Sequence, residues 1–169
     1  MEKNKVRFIT RTALMAAAYA AITIVFSGMS YGQVQFRISE ILVLFAFIDA
    51  KYAPGLILGC FLANLPSPLG IIDVVIGTLA TTFAVLFIIQ VKKVFGYNKK
   101  ALILSSLGPV VFNALLVGWE LEYLFQTAFW MNALYVAIGE FAVVTIAGTI
   151  IVSAVMENER ITDKLKLEE

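Results

Sequence analysis

The residues of this chain that could do chemistry are charged and amide side chains embedded in apolar sequence. Glu140 and Asn113 each lie inside a long apolar run, and Arg37 and Glu40 stand three residues apart at the start of another. A charge within a membrane segment is costly, so it usually faces the interior of a helix bundle and pairs there with a partner or a ligand. These residue types therefore favour binding of a polar small molecule through hydrogen bonds and charge.

The apolar sequence around these residues predicts an all-α integral membrane protein. The chain has 169 residues, of which 60% are hydrophobic, and a soluble domain could not cover that much apolar surface. We predict one domain, residues 1–169, with six transmembrane helices. Because a spanning helix needs about 20 residues, the second and third segments are short and could be tilted or partly re-entrant. The segments cover residues 7–28, 37–50, 53–65, 71–91, 101–118 and 132–156.

The basic residues indicate the orientation of these segments. All but one of the 13 Lys and Arg residues fall before the first segment, at the turn between the second and third, between the fourth and fifth, or after the sixth. Basic residues are enriched on the cytoplasmic side of a membrane. We therefore predict a plasma-membrane protein with both termini cytoplasmic. Arg37 is the exception, because it falls on the outer side.

The polar residues are unevenly distributed along the predicted helices. Asp49 and Gln90 lie near the cytoplasmic edge, and the other deep polar residues fall in the outer half. This distribution favours a pocket open to the outside over a continuous ion or proton pathway. The loop 29–36, with Gly28 and Gly32, could close over the pocket as a lid. Our candidate binding residues are Gln35, Arg37, Glu40, Asn64, Asn113, Glu120, Trp130, Tyr135 and Glu140.

Structural explanations remain open for most of these residues. Arg37 and Glu40 could pair with each other on one helix face, and Asp73 in a first helical turn favours the helix dipole. Glu140, about 12 Å along the helix from Asn132, is the hardest to explain without a partner or a ligand. Asn64 could simply end a helix, and Glu120 and Glu122 could be solvated loop charges. Trp119, Trp130 and Tyr135 could be membrane-interface or packing residues.

A strip of small residues occupies the first segment. Ala13, Ala17 and Ala21 recur every four residues, with Ala16 and Ala20 beside them. Small residues at this spacing allow another helix to approach closely. The approaching helix could belong to this chain or to a separate protein, for which these alanines would be the docking residues.

The composition excludes several kinds of reaction. The chain contains no His, which removes His-metal sites and His proton relays. It has no Gly-rich loop ending in Gly-Lys-Ser or Gly-Lys-Thr, so we expect no ATP hydrolysis by that route. Cys60 is the single cysteine and can form no internal disulfide. We predict neither enzymatic activity nor a metal site.

Two of these features, the topology and the alanine strip, resemble the substrate-binding (S) subunits of energy-coupling factor transporters. Those subunits are small six-helix membrane proteins with an Ala-x-x-x-Ala motif on helix one, matched here by Ala13 and Ala17. Residues 31–40, YGQVQFRISE, resemble more specifically the QueT family of S subunits. Residues 64–70, NLPSPLG, followed by Asp73 and Gly77, resemble it as well.

This resemblance implies uptake of a queuosine precursor, a 7-deazaguanine such as preQ0, preQ1 or queuine. It implies as partners a transmembrane T subunit and two cytoplasmic ATPase subunits, with the alanine strip as a docking face. S subunits of this kind are thought to bind substrate outside and to topple in the membrane for release inside. ATP hydrolysis would then belong to the partners.

The implied ligand has hydrogen-bonding groups that the candidate residues could meet. Its adjacent ring N–H and exocyclic amine fit one carboxylate in a two-point bond, for which Glu140 or Glu40 is the first choice. Its carbonyl oxygen needs a donor, and its flat ring suits stacking on Trp or Tyr. Donors for the carbonyl are Asn113, Gln35 or Arg37, and a protonated amine on the ligand could meet Glu120 or Glu122.

Three alternative functions remain. The chain could be an S subunit for another vitamin, or a membrane scaffold or assembly protein that uses only the alanine strip. A membrane enzyme is the third, since clustered carboxylates allow acid–base chemistry in principle. An S subunit should bind its ligand without ATP and transport it only with partner subunits. These two properties would distinguish it from a scaffold protein and from an enzyme.

Overall fold

The computed structural model describes residues 2–30 and 34–166, with side chains from residue 5 onward. All secondary structure among these residues is helical, as predicted. Short 3₁₀ segments cover Ile38–Leu44 and Ala50–Tyr52, and a π-helical segment, Phe141–Gly148, joins α7 to α8. The α-helices are α1 Glu2–Val25, α2 Ser27–Ser30, α3 Phe45–Ile48, α4 Ala53–Asn64, α5 Ile71–Phe95, α6 Lys99–Phe125, α7 Phe129–Glu140, α8 Thr149–Glu157 and α9 Glu159–Leu165.

Four helical stretches in the described part of the chain are long and apolar enough to cross a membrane, by length and composition. The last of them combines α7, the π-helical segment and α8. Large apolar side chains cover their outer surfaces, which suits contact with lipid. The stretches are Lys5–Val25, Ile71–Phe95, Lys99–Phe125 and Phe129–Glu157.

The second and third predicted segments are shorter helices that form a hairpin. One runs from Ile38 to Ile48, and the other, α4, has 12 residues, about 18 Å of helix. The predicted tight turn between them is present, because the Asp49 side chain accepts a hydrogen bond from the Lys51 backbone N–H at 2.9 Å. A proline in the first turn of α4 starts the returning helix.

Helix α1 packs against α4 through one face only. A Cβ atom on Gly59 would lie 2.7 Å from the Cβ of Tyr19, and one on Gly55 would lie 2.7 Å from the Thr12 carbonyl oxygen. The two helices therefore approach closely because α4 carries glycine at both contacts. Ala16 is buried in this interface.

The alanine strip lies on the opposite side of α1. Ala13, Ala17 and Ala21 are all exposed, whereas their neighbours Ala16 and Tyr19 are buried. These three alanines are thus not used for packing within the described part of this chain, and their surface is available to another protein.

One end of the bundle gathers most of the basic segments. The Arg11 guanidinium donates to the Lys166 carbonyl at 3.2 Å, and Tyr52 donates to the Leu165 carbonyl at 2.7 Å. Lys92 donates to the carbonyl of Ile48 at 2.8 Å. These contacts place the beginning of α1, the hairpin turn, the end of α5 and the end of α9 side by side. The deep polar residues lie toward the other end.

Candidate binding site

A group of buried polar side chains forms the candidate site, and we call it the buried polar cluster. Each member is at most 2% exposed. The members come from the extended segment before the hairpin, from the first 3₁₀ segment, and from α4, α5, α6 and α7, so that six separate parts of the fold contribute. The members are Gln35, Arg37, Glu40, Asn64, Asp73, Asn113, Glu120 and Glu140.

Arg37 makes an ion pair with Asp73. Its Nη2 atom lies 3.8 Å from Oδ1 of Asp73, and both side chains are buried. Arg37 precedes the first 3₁₀ segment and has φ −86° and ψ 88°, so it does not share a helix face with Glu40. The predicted partner Glu40 interacts with Arg37 electrostatically. Asp73 lies in the first turn of α5, so the dipole role and the ion pair coexist.

Glu40 receives hydrogen bonds from two helices. The Tyr19 hydroxyl on α1 donates to Oε1 of Glu40, and the Thr81 hydroxyl on α5 donates to the same oxygen at 3.3 Å. The other oxygen, Oε2, has no hydrogen-bond partner among the described residues. Glu40 is therefore fixed in position and keeps one acceptor atom available.

Glu140 and Asn113 form a second contact within the cluster. Asn113 donates from Nδ2 to Oε1 of Glu140 at 2.9 Å, and Asn113 also interacts with Glu40. Within residues 2–30 and 34–166, neither Oε2 of Glu140 nor Oδ1 of Asn113 has a hydrogen-bond partner. Two carboxylates thus approach one amide, and the two carboxylates interact electrostatically with each other.

Glu120 lies inside α6 and is fully buried. The simpler explanation for Glu120 and Glu122 is that both are solvated loop charges. It is wrong for Glu120, because the helix continues to Phe125 and turns this side chain inward. It fits Glu122, which is exposed. Neither carboxylate oxygen of Glu120 has a hydrogen-bond partner in the described part of the chain. Glu120 interacts electrostatically with Asp73 and Arg37.

Gln35 reaches the cluster because its backbone lies directly on α7. A Cβ atom on Gly139 would be 2.6 Å from the carbonyl oxygen of Gln35, so this contact requires glycine. The adjacent residue, Glu140, is thereby brought next to the extended segment. The Gln35 amide nitrogen has no hydrogen-bond partner among the residues described.

Asn64 connects α4 to the start of α5. Its Nδ2 atom donates to the Asp73 carbonyl at 3.1 Å, and a Cβ atom on Gly77 would meet that nitrogen at 2.5 Å. Asn64 is also the last residue of α4. It therefore ends the helix, as the simpler explanation proposed, and also positions Asp73.

The aromatic candidates lie outside the buried polar cluster. Trp130 is 76% exposed and packs on Phe129 with ring centroids 4.8 Å apart, an arrangement that suits the membrane interface. Tyr135 is half-buried. The predicted lid, 29–36, includes residues 31–33, which lie outside the described residues.

Three members of the site environment were not among the candidate residues. The sequence predicts only a structural role for Asp73, and nothing in it singles out Tyr19 or Thr81. The signal for them was a hydroxyl group within an apolar helix, but threonine commonly bonds its own helix backbone. Only the fold shows that Tyr19 and Thr81 meet at Glu40.

The cluster can accept several hydrogen bonds from a donor-rich ligand. It contains four carboxylates, Glu40, Asp73, Glu120 and Glu140, and one cationic group, Arg37. Among the described residues, no three acidic or cysteine side chains lie close enough together to hold a metal ion. The open carboxylate oxygens of the cluster suit a molecule that offers N–H groups at more than one point.

The sequence of this chain is similar to those of known transporter proteins. A sequence model of the QueT transporter family matches residues 9–157. A protein of Lactococcus lactis subsp. cremoris (strain MG1363), described as "Queuosine precursor transporter QueT", is 31% identical over 150 residues, which is 84% of this chain and 88% of the relative. No solved structure matches this chain. With its long apolar helices and a family match over most of its length, this multi-pass membrane protein belongs to the QueT transporter family.

Proposed function

We propose that this chain is the substrate-binding subunit of an importer for a queuosine precursor, a 7-deazaguanine. The observation that carries this proposal is the pair of buried carboxylates, Glu40 and Glu140, with Asn113 between them. A guanine-type ring offers a ring N–H and an exocyclic amine side by side, which matches one carboxylate in a two-point bond. The name of the Lactococcus relative supports the same ligand class.

The open atoms of the cluster give each residue a role. Oε2 of Glu140 or of Glu40 accepts from the ring N–H and the exocyclic amine, because neither oxygen has a partner among the described residues. The Gln35 amide nitrogen, which is similarly available, donates to the ring carbonyl. Arg37 holds Asp73 at the edge of the site.

The proposed orientation has six membrane crossings, with both termini in the cytoplasm and the buried polar cluster facing outward. The short hairpin of Ile38–Ile48 and α4 provides the second and third crossings. Support comes from the basic segments, which gather at one end of the bundle, because basic residues favour the cytoplasmic side. The cluster at the other end then receives ligand from outside.

The proposed partners are a transmembrane T subunit and two ATPase subunits of an energy-coupling factor module. The exposed strip of Ala13, Ala17 and Ala21 supports this part of the proposal, because it is smooth, lipid-facing and unused by the described helices. The chain itself is expected not to hydrolyse ATP. Transport therefore requires the partners, whereas ligand binding does not.

Thermal unfolding of the purified chain with a panel of ligands tests the proposal, since a ligand that binds the folded state raises its stability. We expect 7-deazaguanines to raise the unfolding temperature without ATP or partners. Riboflavin, thiamine and biotin serve as controls for the alternative that the chain carries another vitamin. Stabilisation by one of these vitamins, with none by any 7-deazaguanine, would overturn the assignment.

A further inference from the structure

Glu120 is the most informative residue that the proposed ring recognition does not use. It is fully buried in α6, and neither of its carboxylate oxygens has a hydrogen-bond partner among the described residues. A carboxylate taken out of water without a partner is unfavourable. This side chain lacks a hydrogen-bond donor among the described residues, although it interacts electrostatically with Arg37.

The charged groups around Glu120 balance each other without it. Asp73 and Arg37 are the groups with which it interacts electrostatically, and they already form an ion pair with each other at 3.8 Å. Glu120 is thus the additional negative group at this side of the cluster. With a neutral ligand the Glu120 carboxylate would stay uncompensated or take up a proton, whereas a ligand with an ammonium group would pair with it.

Glu120 and the contact of Asn113 with Glu140 lie on the same side of α6, within reach of one ligand. Asn113, which contacts Glu140, and Glu120 are seven residues apart on α6, which corresponds to about two helical turns and about 10 Å. They therefore point to the same side of the helix at different depths. In a 7-deazaguanine the exocyclic amine and the 7-substituent lie across the ring system from each other, so one ligand could extend from Glu140 toward Glu120.

We propose that Glu120, together with Asp73, forms a subsite for a protonated amine on the 7-substituent, so that the chain selects cationic 7-deazaguanines over neutral ones. This inference rests on the proposed function, because it assumes that the ring is read by Glu40, Asn113 and Glu140. An alkylamine is protonated at neutral pH, as the lysine side chain is, whereas a nitrile is uncharged. An organic ammonium also agrees with the absence, within the described residues, of a group of side chains able to hold a metal ion.

The first test compares two ligands that differ only at the 7-substituent. Calorimetric titration of the purified wild-type chain with 7-aminomethyl-7-deazaguanine and with 7-cyano-7-deazaguanine measures the preference directly. We expect the aminomethyl compound to bind about tenfold more tightly or better, the effect of pairing a buried charge. Equal binding, or tighter binding of the cyano compound, would overturn the inference. This comparison needs no variant.

The second test removes the charge of Glu120 while keeping its shape. Glu120→Gln is expected to weaken binding of the aminomethyl compound by about tenfold or more and to leave binding of the cyano compound unchanged or stronger. Glu122→Gln is the matched control, because Glu122 lies on the same helix but is exposed. If Glu120→Gln weakens both ligands equally, Glu120 supports the fold of the site and does not select charge.

The outcomes separate this inference from the proposed function. Binding of both compounds without discrimination rejects the ammonium subsite and leaves the 7-deazaguanine assignment intact. Binding of neither compound to folded wild-type protein rejects both. Discrimination by the wild-type chain that is lost in Glu120→Gln, but retained in Glu122→Gln, supports both.

Discussion

At the scale of single residues, the central feature is a pair of buried carboxylates around one amide. Glu40 and Glu140 interact with each other, and Asn113 donates to Glu140 at 2.9 Å. Two such groups in a dry interior repel each other, and the penalty for burying each ion is several kcal/mol. Such an unfavourable pair of buried carboxylates is retained where it serves a function. The contacts of these residues support binding of a donor-rich ligand as that function.

Tyr19 tests whether Glu40 depends on its hydrogen bonds. We expect Tyr19→Phe to lower the free energy of unfolding by about 1–3 kcal/mol, the usual cost of leaving a buried polar group unsatisfied. Tyr123→Phe is the control, because Tyr123 is exposed. Thermal unfolding of the two variants measures the difference. Equal stability of both variants would show that the Tyr19 hydroxyl does not support Glu40.

Gly139 tests the contact that brings Gln35 to the site. A methyl group at this position would lie 2.6 Å from the Gln35 carbonyl oxygen, so Gly139→Ala must displace the segment around Gln35. We expect weaker ligand binding by about tenfold and a loss of about 1–3 kcal/mol of stability, measured by titration and thermal unfolding. At Gly28 nothing lies within 4 Å of an added Cβ, so Gly28→Ala should behave as wild type; unchanged binding in both variants would count against this contact.

All members of the cluster except Asp73 could be predicted from the sequence, but its pairings could not. A charge within an apolar run is costly wherever it points, so Glu140, Asn113 and Arg37 stand out before any fold is known. Pairings depend on which helices are neighbours. The ion pair of Arg37 with Asp73 joins residues far apart in the chain. The sequence instead predicts pairing of Arg37 with Glu40, which is only three residues away.

At the scale of elements, α1 connects the site to the exposed alanine strip. One face packs on α4 at Gly59 and carries Tyr19, whose hydroxyl bonds Glu40. The other face presents Ala17 to the outside. A helix that contacts the buried polar cluster on one side and exposes a small-residue surface on the other is well placed to link binding with docking.

A bulky residue in the strip should separate binding from transport. We expect Ala17→Phe to bind ligand like wild type, because Ala17 is exposed on the side of α1 away from the buried Tyr19. Uptake by the complete transporter should fall by about tenfold or more, since a large side chain prevents close helix approach. Leu115→Phe, an exposed position on α6, is the control for added bulk in lipid contact. Wild-type uptake by Ala17→Phe would argue against docking at this strip.

The irregular elements were beyond reach of the sequence. Residues 141–148 have the composition of an ordinary apolar helix, yet they form a π-helical segment that begins directly after Glu140. Such segments are frequent at functional sites. Leu44 of the first 3₁₀ segment packs against this segment, and its Cδ1 atom would lie 3.0 Å from a Cβ on Gly148. Local pattern carries no information about these neighbours.

At the scale of the whole molecule, the proposed orientation predicts where added cysteines react. A membrane-impermeant thiol reagent should label Trp130→Cys in intact cells, and should label Lys164→Cys only after permeabilisation. Both positions are exposed, whereas the native Cys60 is buried, so the wild-type chain is the unlabelled control. Labelling of Lys164→Cys in intact cells would place the C-terminal helix outside and contradict the orientation.

The overall arrangement was largely predictable because two signals agree along the entire chain. Apolar length marks the helices, and the four long stretches coincide with predicted segments. The spacing of basic residues marks the end at which Arg11 and Lys92 find carbonyl partners. The short hairpin was less certain, because its two helices are short of the length that hydropathy recognises as a span.

One titration tests the central claim most directly. Purified wild-type chain, without ATP or partner subunits, is titrated with queuine in a calorimeter beside Glu140→Gln. We predict saturable binding to wild type and a loss of about tenfold or more in affinity for the variant, because the amide replaces an acceptor with a donor at the ring N–H groups. Equal affinity of the two proteins, or no binding to folded wild type, would contradict the account.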